Sequence, residues 1–186
     1  MRKTRLLVII FLIIIQLAVP ALAKQAYLSD FVVTNDRDHL LVYFSVNDCF
    51  TVEMNRAIDS GMNTIFTFFV KLYEKRSLWW DRKIADVKIS HCIKYDNLKR
   101  VYEVRLLETD DKIITLKDFD EAKALMASVA ALKVTSLHSL QKGGHYQLRM
   151  MAELDKIKLP VFLRYLLFFV SFWDFKTDWS IIEFRY

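Results

Sequence analysis

The sequence predicts a mainly β protein, an antiparallel two-layer sandwich-like domain that carries two short amphipathic helices. Apolar and polar residues alternate at period two in five separate segments, which is typical of strands with one face in water. Clusters of Asn and Asp lie between apolar segments and supply turns in a chain of 186 residues with only 3 Gly and 2 Pro. Only two segments show helical spacing. An α+β layer is the alternative arrangement.

The alternating segments define the predicted strands. They span residues 40–46, 64–73, 87–95, 102–106 and 146–154. In the second of them Phe66, Phe68, Val70 and Leu72 all fall on one side, which indicates a face directed at the core.

Polar turn residues connect these strands into three predicted hairpins, around 36–38, around 75–82 and around 96–98. Asn and Asp side chains bond their own backbone and tolerate left-handed conformations, so they replace the missing glycines. A further turn is predicted at 110–111, and Lys142-Gly143-Gly144 opens the last alternating segment.

Two amphipathic helices are predicted in the connections between strands. Gly61 ends the first as a C-terminal cap, and its apolar positions are Phe50, Met54, Ala57 and Ile58. Asp118 begins the second in a variant of the capping box, and its apolar positions are Phe119, Ala122, Met126 and Val129.

The segment 159–173 allows two interpretations. It contains a continuous apolar run after Pro160 that fits either a helix or a buried strand. We expect it to form core, because an exposed patch this apolar is uncommon on a soluble monomer; the alternative is a lipid or partner contact.

Residues 1–23 have the three parts of a secretory signal peptide. Three cations stand among the first five residues, an apolar run follows over 6–17, and the small residues Ala21 and Ala23 precede the expected cleavage point. We therefore expect export to the periplasm. The alternative is an uncleaved anchor in which residues 6–22, near the minimum length for a bilayer, tether the chain to the inner membrane.

Cleavage would leave residues 24–186, which we expect to form a single β-rich domain. The whole chain has 27 Lys and Arg against 22 Asp and Glu, a net charge of +5. The leader holds three of the cations and no acid, so 24 cations against 22 acids leave +2. This small charge argues against nucleic acid as a partner.

The sequence contains no recognisable catalytic motif, so we expect a protein without enzymatic activity, cofactor or metal. The four histidines lack metal-binding spacing, and the common nucleophile and phosphate-loop motifs do not occur. His91 falls on the apolar side of its strand, where a hydrogen-bonded core residue is expected. Paired carboxylates at 36/38, 110/111 and 118/120 fall in turns or caps, where water keeps both members ionised.

The two cysteines are candidates for one disulfide bond. Cys49 and Cys92 lie in a chain expected to reach an oxidising compartment, where a bridge would stabilise by about 3–4.5 kcal/mol. Two free thiols are the alternative, because Cys92 falls on the wet face of its strand and Cys49 precedes the first helix.

A tryptophan pair is the most distinctive local feature. Trp79 and Trp80 stand among cations in the predicted hairpin around 75–82. Together with Arg82 and Lys83 they are candidates for a partner contact or for a membrane headgroup layer. The structural alternative is that one indole closes the end of the sandwich while the other stacks beneath an arginine.

These residues also carry a resemblance that covers nearly all of residues 24–186. The pattern includes Ser60-Gly61, Trp79-Trp80-Asp81-Arg82-Lys83, Tyr95-Asp96-Asn97-Leu98, Tyr146-Gln147-Leu148-Arg149, Leu159-Pro160 and residues 172–179. In this order and spacing it resembles the bacterial family called domain of unknown function 4390. Met62-Asn63 departs from the family pattern, which often has an apolar residue and a proline after the glycine.

The resemblance implies an exported, one-domain bacterial protein with no assigned catalytic residue. Related genes often lie beside a two-component sensor kinase, which implies such a kinase as a partner. We therefore expect a non-enzymatic envelope protein that acts as an interaction or signalling-accessory module. The alternative is a carrier for a lipid or other apolar ligand, suggested by the Phe-rich stretch 162–172.

Overall fold

A computed structural model of the chain describes residues 25–106, 112–155 and 175–186. These residues form nine strands in two antiparallel sheets, together with two α-helices. The fold is mainly β and sandwich-like, as the sequence predicts. The predicted leader 1–23, the turn at 110–111 and the segment 159–173 lie outside the described residues.

The smaller sheet has three strands in the order β1-β2-β7. They are β1 (Tyr27–Asn35), β2 (His39–Asn47) and β7 (Ser128–Ser136). The predicted hairpin around 36–38 joins β1 to β2, and the Asp36 carboxylate accepts backbone hydrogen bonds from Asp38 and His39. These two bonds hold the pKa of Asp36 below its usual value.

The larger sheet has six strands in the order β6-β5-β4-β3-β8-β9. They are β3 (Thr64–Glu74), β4 (Arg82–Asp96), β5 (Val101–Leu106), β6 (Lys112–Leu116), β8 (His145–Leu154) and β9 (Ser180–Arg185). The predicted hairpins around 75–82 and 96–98 join β3 to β4 and β4 to β5. All five strands predicted from alternation are confirmed.

The core lies between the inner faces of the two sheets. Phe44 of β2 and Phe68 of β3 meet there edge to face, with 5.8 Å between ring centroids, and both side chains are buried. The predicted inward residues of β3 are all buried as well: Phe66, Phe68, Val70 and Leu72. Aromatic pairs in this geometry add about 0.5–1.5 kcal/mol to the stability that burial gives.

Both helices lie in connections and help to close this core. The first, α1 (Val52–Asp59), begins at the cap Thr51, whose hydroxyl accepts from the Met54 N–H at 3.2 Å. It ends as predicted at Gly61, whose φ of +85° allows the N–H of Met62 to reach back to the Ala57 carbonyl.

The second helix, α2 (Phe119–Ala127), is capped as predicted by Asp118, which accepts from the Glu121 N–H at 2.8 Å. The prediction that Val129 continues its apolar stripe was wrong. Ser128 already has extended backbone angles and starts β7, so Val129 is buried as a strand residue.

The first described residues lie at the end of the sandwich opposite the β3–β4 hairpin. Tyr27 pairs with Asn47 at the end of β2, and Phe50, three residues later, packs on Phe66 near the start of β3, with 5.2 Å between ring centroids. The strand β3 has 11 residues from Thr64 to Glu74 at the hairpin and so spans about 33 Å.

Candidate functional site

The loop 75–81 at the end of the β3–β4 hairpin presents three adjacent large apolar side chains to water. Leu78 is 90% exposed, Trp79 is 76% exposed and Trp80 is 92% exposed. We call these three residues the hairpin tip. The interpretation that one indole closes the end of the sandwich was therefore wrong, because neither indole is buried. The interpretation of Trp79 and Trp80 as part of a partner or membrane contact stays a prediction.

Ion pairs fix the base of this loop. Arg82 donates from Nε to Glu74 Oε2 at 2.8 Å, across the first pair of the hairpin, and Arg76 donates to the same oxygen at 3.4 Å. The Arg82 hydrogen bond is the main reason that the pKa of Glu74 lies below its usual value. Glu74 is nearly buried, so the hairpin is held by a carboxylate that two guanidinium groups share.

Lys83, the other cation predicted to take part in the contact, also forms an ion pair. Its Nζ donates to Asp86 Oδ2 at 2.9 Å, which lowers the pKa of Asp86 and raises that of Lys83. Five cations and three acids occupy positions 71–86, so this stretch is net positive by two. The predicted contact residues therefore lie together at one end of the fold, with the apolar side chains outermost.

A groove lies beside this hairpin on the outer face of the larger sheet. It has a volume of about 400 Å³ and is lined by Lys71, Tyr73, Arg149, Trp179 and Ile181. Lys71 Nζ lies 5.3 Å from the ring centroid of Trp179, and Arg149 Cζ lies 4.5 Å from that of Tyr73. Each cation of the groove therefore sits over an aromatic ring.

Sequence reasoning missed this groove. Its residues come from β3, β8, β9 and the position just before β9, which become neighbours only through long-range pairing. The one signal available from the sequence is that Lys71 and Arg149 both stand at outward positions of alternating segments.

The two candidate disulfide residues are free thiols in the structure. Cys49 is buried in the core between the sheets, where loss of solvation raises the pKa of its thiol to about 12. Cys92 lies on β4 between the inward residues His91 and Ile93, so its side chain points to the opposite face of the sheet. The larger sheet therefore stands between the two sulfur atoms.

His91 has the surroundings of a core residue, as expected. Its imidazole is buried, its Nδ1 lies 3.0 Å from the Met126 carbonyl oxygen, and its ring packs edge to face on Phe68. Across residues 25–106, 112–155 and 175–186, no three His, Cys, Asp or Glu side chains cluster in a way that could hold a metal ion. Within the same ranges no helix is both long and apolar enough to cross a bilayer.

Comparison with known proteins gives one match. A family model described as Domain of unknown function (DUF4390) matches residues 23–183. No curated protein and no solved structure matches the chain.

Proposed function

Because the chain belongs to the DUF4390 family, whose description assigns no activity, we propose a function from the site itself. The protein is an exported, non-enzymatic component of the bacterial cell envelope. It acts as a protein-interaction or signalling-accessory module, and the hairpin tip makes its principal contact.

The exposure of the hairpin tip is the observation that carries this proposal. Leu78, Trp79 and Trp80 stand almost fully in water at the end of a loop that ion pairs hold in place. Burying a large apolar side chain is worth about 1.5–3 kcal/mol. Tryptophan is also one of the residue types enriched among the residues that contribute most of the binding energy in protein interfaces. A partner that covers the tip would therefore gain much of its affinity there.

The position of the tip is compatible with a cleaved leader and with an uncleaved membrane anchor. The first described residues and the tip lie at opposite ends of the sandwich, and β3, which runs between these ends, spans about 33 Å. If residues 6–22 stay in the inner membrane, the tip lies at the end of the domain far from residue 25, the first described residue. If the leader is removed, the domain is free to reach its partner.

The packing of the interior favours this module over a carrier for an apolar ligand. A carrier needs an internal cavity of a few hundred Å³. In the space between the sheets, Phe44, Phe66 and Phe68 are buried against their neighbours. These three side chains therefore occupy part of the region in which an apolar ligand would lie.

The test is capture of a named partner by variants of the tip. The candidate partner is a two-component sensor kinase of the same envelope, as the family resemblance suggests. We expect Trp79→Ala/Trp80→Ala to reduce co-purification of the kinase at least tenfold, with an unchanged circular dichroism spectrum.

Leu98→Ala is the matched control. Leu98 is also a large apolar residue in a hairpin loop, 97% exposed, but it lies at the other end of the sandwich, between β4 and β5. It should leave capture unchanged. Equal capture by the wild type and the double tryptophan variant would contradict the proposal.

A further inference from the structure

Two cations face each other in the groove beside the hairpin. Lys71 of β3 is directly opposite Arg149 of β8 in the sheet register. Like charges at paired positions of neighbouring strands destabilise a sheet. An anion placed between the two head groups would turn this repulsion into attraction.

The carboxylates nearby satisfy these two cations only in part. Asp86 Oδ2 is 3.9 Å from Lys71 Nζ, while the same oxygen accepts a 2.9 Å hydrogen bond from Lys83. Asp81 Oδ2 is 4.0 Å from Arg149 Nη2 and 3.5 Å from Lys75 Nζ. Four cations therefore share these two carboxylates, which leaves a net charge of +2 among these six groups.

The surrounding side chains hold both cations in position. Arg149 donates from Nε to Gln147 Oε1 at 2.6 Å, and Gln147 in turn donates to Glu183 at 2.8 Å. The guanidinium stacks on Tyr73, and the Lys71 ammonium lies over Trp179. A ligand that meets cations already held in place loses less conformational entropy on binding.

The groove also offers apolar surface beside the charges. Ile181 and Trp179 are both partly exposed and line it together with the ring of Tyr73. A volume of about 400 Å³ falls within the range of small-molecule sites.

We propose that this groove binds a small organic anion. A phosphate or carboxylate group lies between Lys71 and Arg149, and an aromatic or short apolar body lies against Trp179 and Ile181. The site is separate from the contact made by the hairpin tip, so it stands or falls independently of that contact.

Phenyl phosphate is the probe for this site. In calorimetric titration of the full-length protein, we expect it to bind about tenfold more tightly than inorganic phosphate, because only phenyl phosphate uses the apolar surface. Lys71→Gln and Arg149→Gln should each weaken its binding about tenfold or more, since each removes one charged hydrogen-bond donor.

Asp81→Asn should act in the opposite direction. It removes a carboxylate that competes with the ligand for Arg149, so phenyl phosphate should bind about threefold more tightly. This gain separates a real site from a general effect of unfolding, which would only weaken binding.

Lys123→Gln is the matched control. Lys123 also lies over an aromatic ring, at 4.6 Å from the centroid of Phe119, but on α2. It should leave phenyl phosphate affinity unchanged. Equal affinity of wild type, Lys71→Gln and Arg149→Gln, or weaker binding by Asp81→Asn, would overturn the proposal.

Two competitors identify the source of the anion. Competition by phosphatidylglycerol vesicles but not by free glycerol phosphate would assign the site to a lipid headgroup. The reverse result would assign it to a soluble anion. Failure of phenyl phosphate to bind the wild type would show that the groove is not an anion site.

Discussion

Replacing Trp80 by alanine should leave the stability of the protein almost unchanged, although it removes the largest type of side chain. Trp80 is 92% exposed, so only about 20 Å² of its roughly 250 Å² surface is hidden. At about 25 cal/mol per Å², the lost burial is worth about 0.5 kcal/mol.

Phe68 provides the contrast for this measurement. It is fully buried and meets Phe44 edge to face, so Phe68→Ala should cost about 3–5 kcal/mol. The assay is urea unfolding followed by far-ultraviolet circular dichroism, which does not depend on tryptophan fluorescence. A loss above about 2 kcal/mol for Trp80→Ala would refute the conclusion that the tip stands in water.

Three further predictions concern parts of the fold around the site. Glu74→Gln should lower the free energy of unfolding above about pH 5 and much less near pH 3, which urea unfolding between pH 3 and 7 measures. The pKa of Glu74 is lower in the folded protein than in the unfolded chain, so the stability that its carboxylate contributes is lost as the pH falls through the folded-state pKa. In the native protein at pH 8, iodoacetamide should modify Cys92 before Cys49, because burial raises the pKa of the Cys49 thiol and shields it until the chain unfolds. A native protein that is 2 Da lighter than the dithiol form and is not alkylated would instead indicate a disulfide. Asp118→Ala should cost about 1 kcal/mol and Asp118→Asn much less in thermal unfolding, because asparagine keeps the capping oxygen; equal losses would contradict the role of that oxygen.

Local features of this chain were predictable because neighbours in sequence decide them. The hairpin at 36–38 needs only the Asp36 carboxylate and two N–H groups within three residues of it. The caps at Asp118 and Gly61 likewise depend on positions one turn away. Alternation identified the inner faces correctly because the core lies on one side of each of these strands.

The course of the chain after α2 could not be predicted in the same way. A helix and a strand follow each other there without a turn residue, and Ser128 is compatible with both. Val129 fits the helical stripe by spacing and also faces the core as a strand residue. Only the pairing of Val129 with Phe44 of β2 selects the strand, and that partner lies 85 residues earlier.

Residues of the candidate site were predictable from the sequence, but their exposure and their neighbours in the fold were not. The sequence singled out Trp79 and Trp80, yet whether the indoles close the sandwich or leave it depends on how far loop 75–81 extends beyond β3 and β4. The groove depends on Lys71 meeting Arg149 across β3 and β8, which are 78 residues apart at that pair. Such pairings arise from the whole sheet order rather than from any local pattern.

The proposed function requires the hairpin tip to be the surface through which the protein contacts a partner in the envelope. Its most direct test is site-specific photo-crosslinking in living cells, with a photoreactive amino acid at position 80 and, as control, at position 98. Both positions are more than 90% exposed and lie at opposite ends of the sandwich. We expect a discrete adduct with the sensor kinase from position 80 and none from position 98. Adducts of equal yield from both positions, or from position 98 alone, would contradict the proposed function.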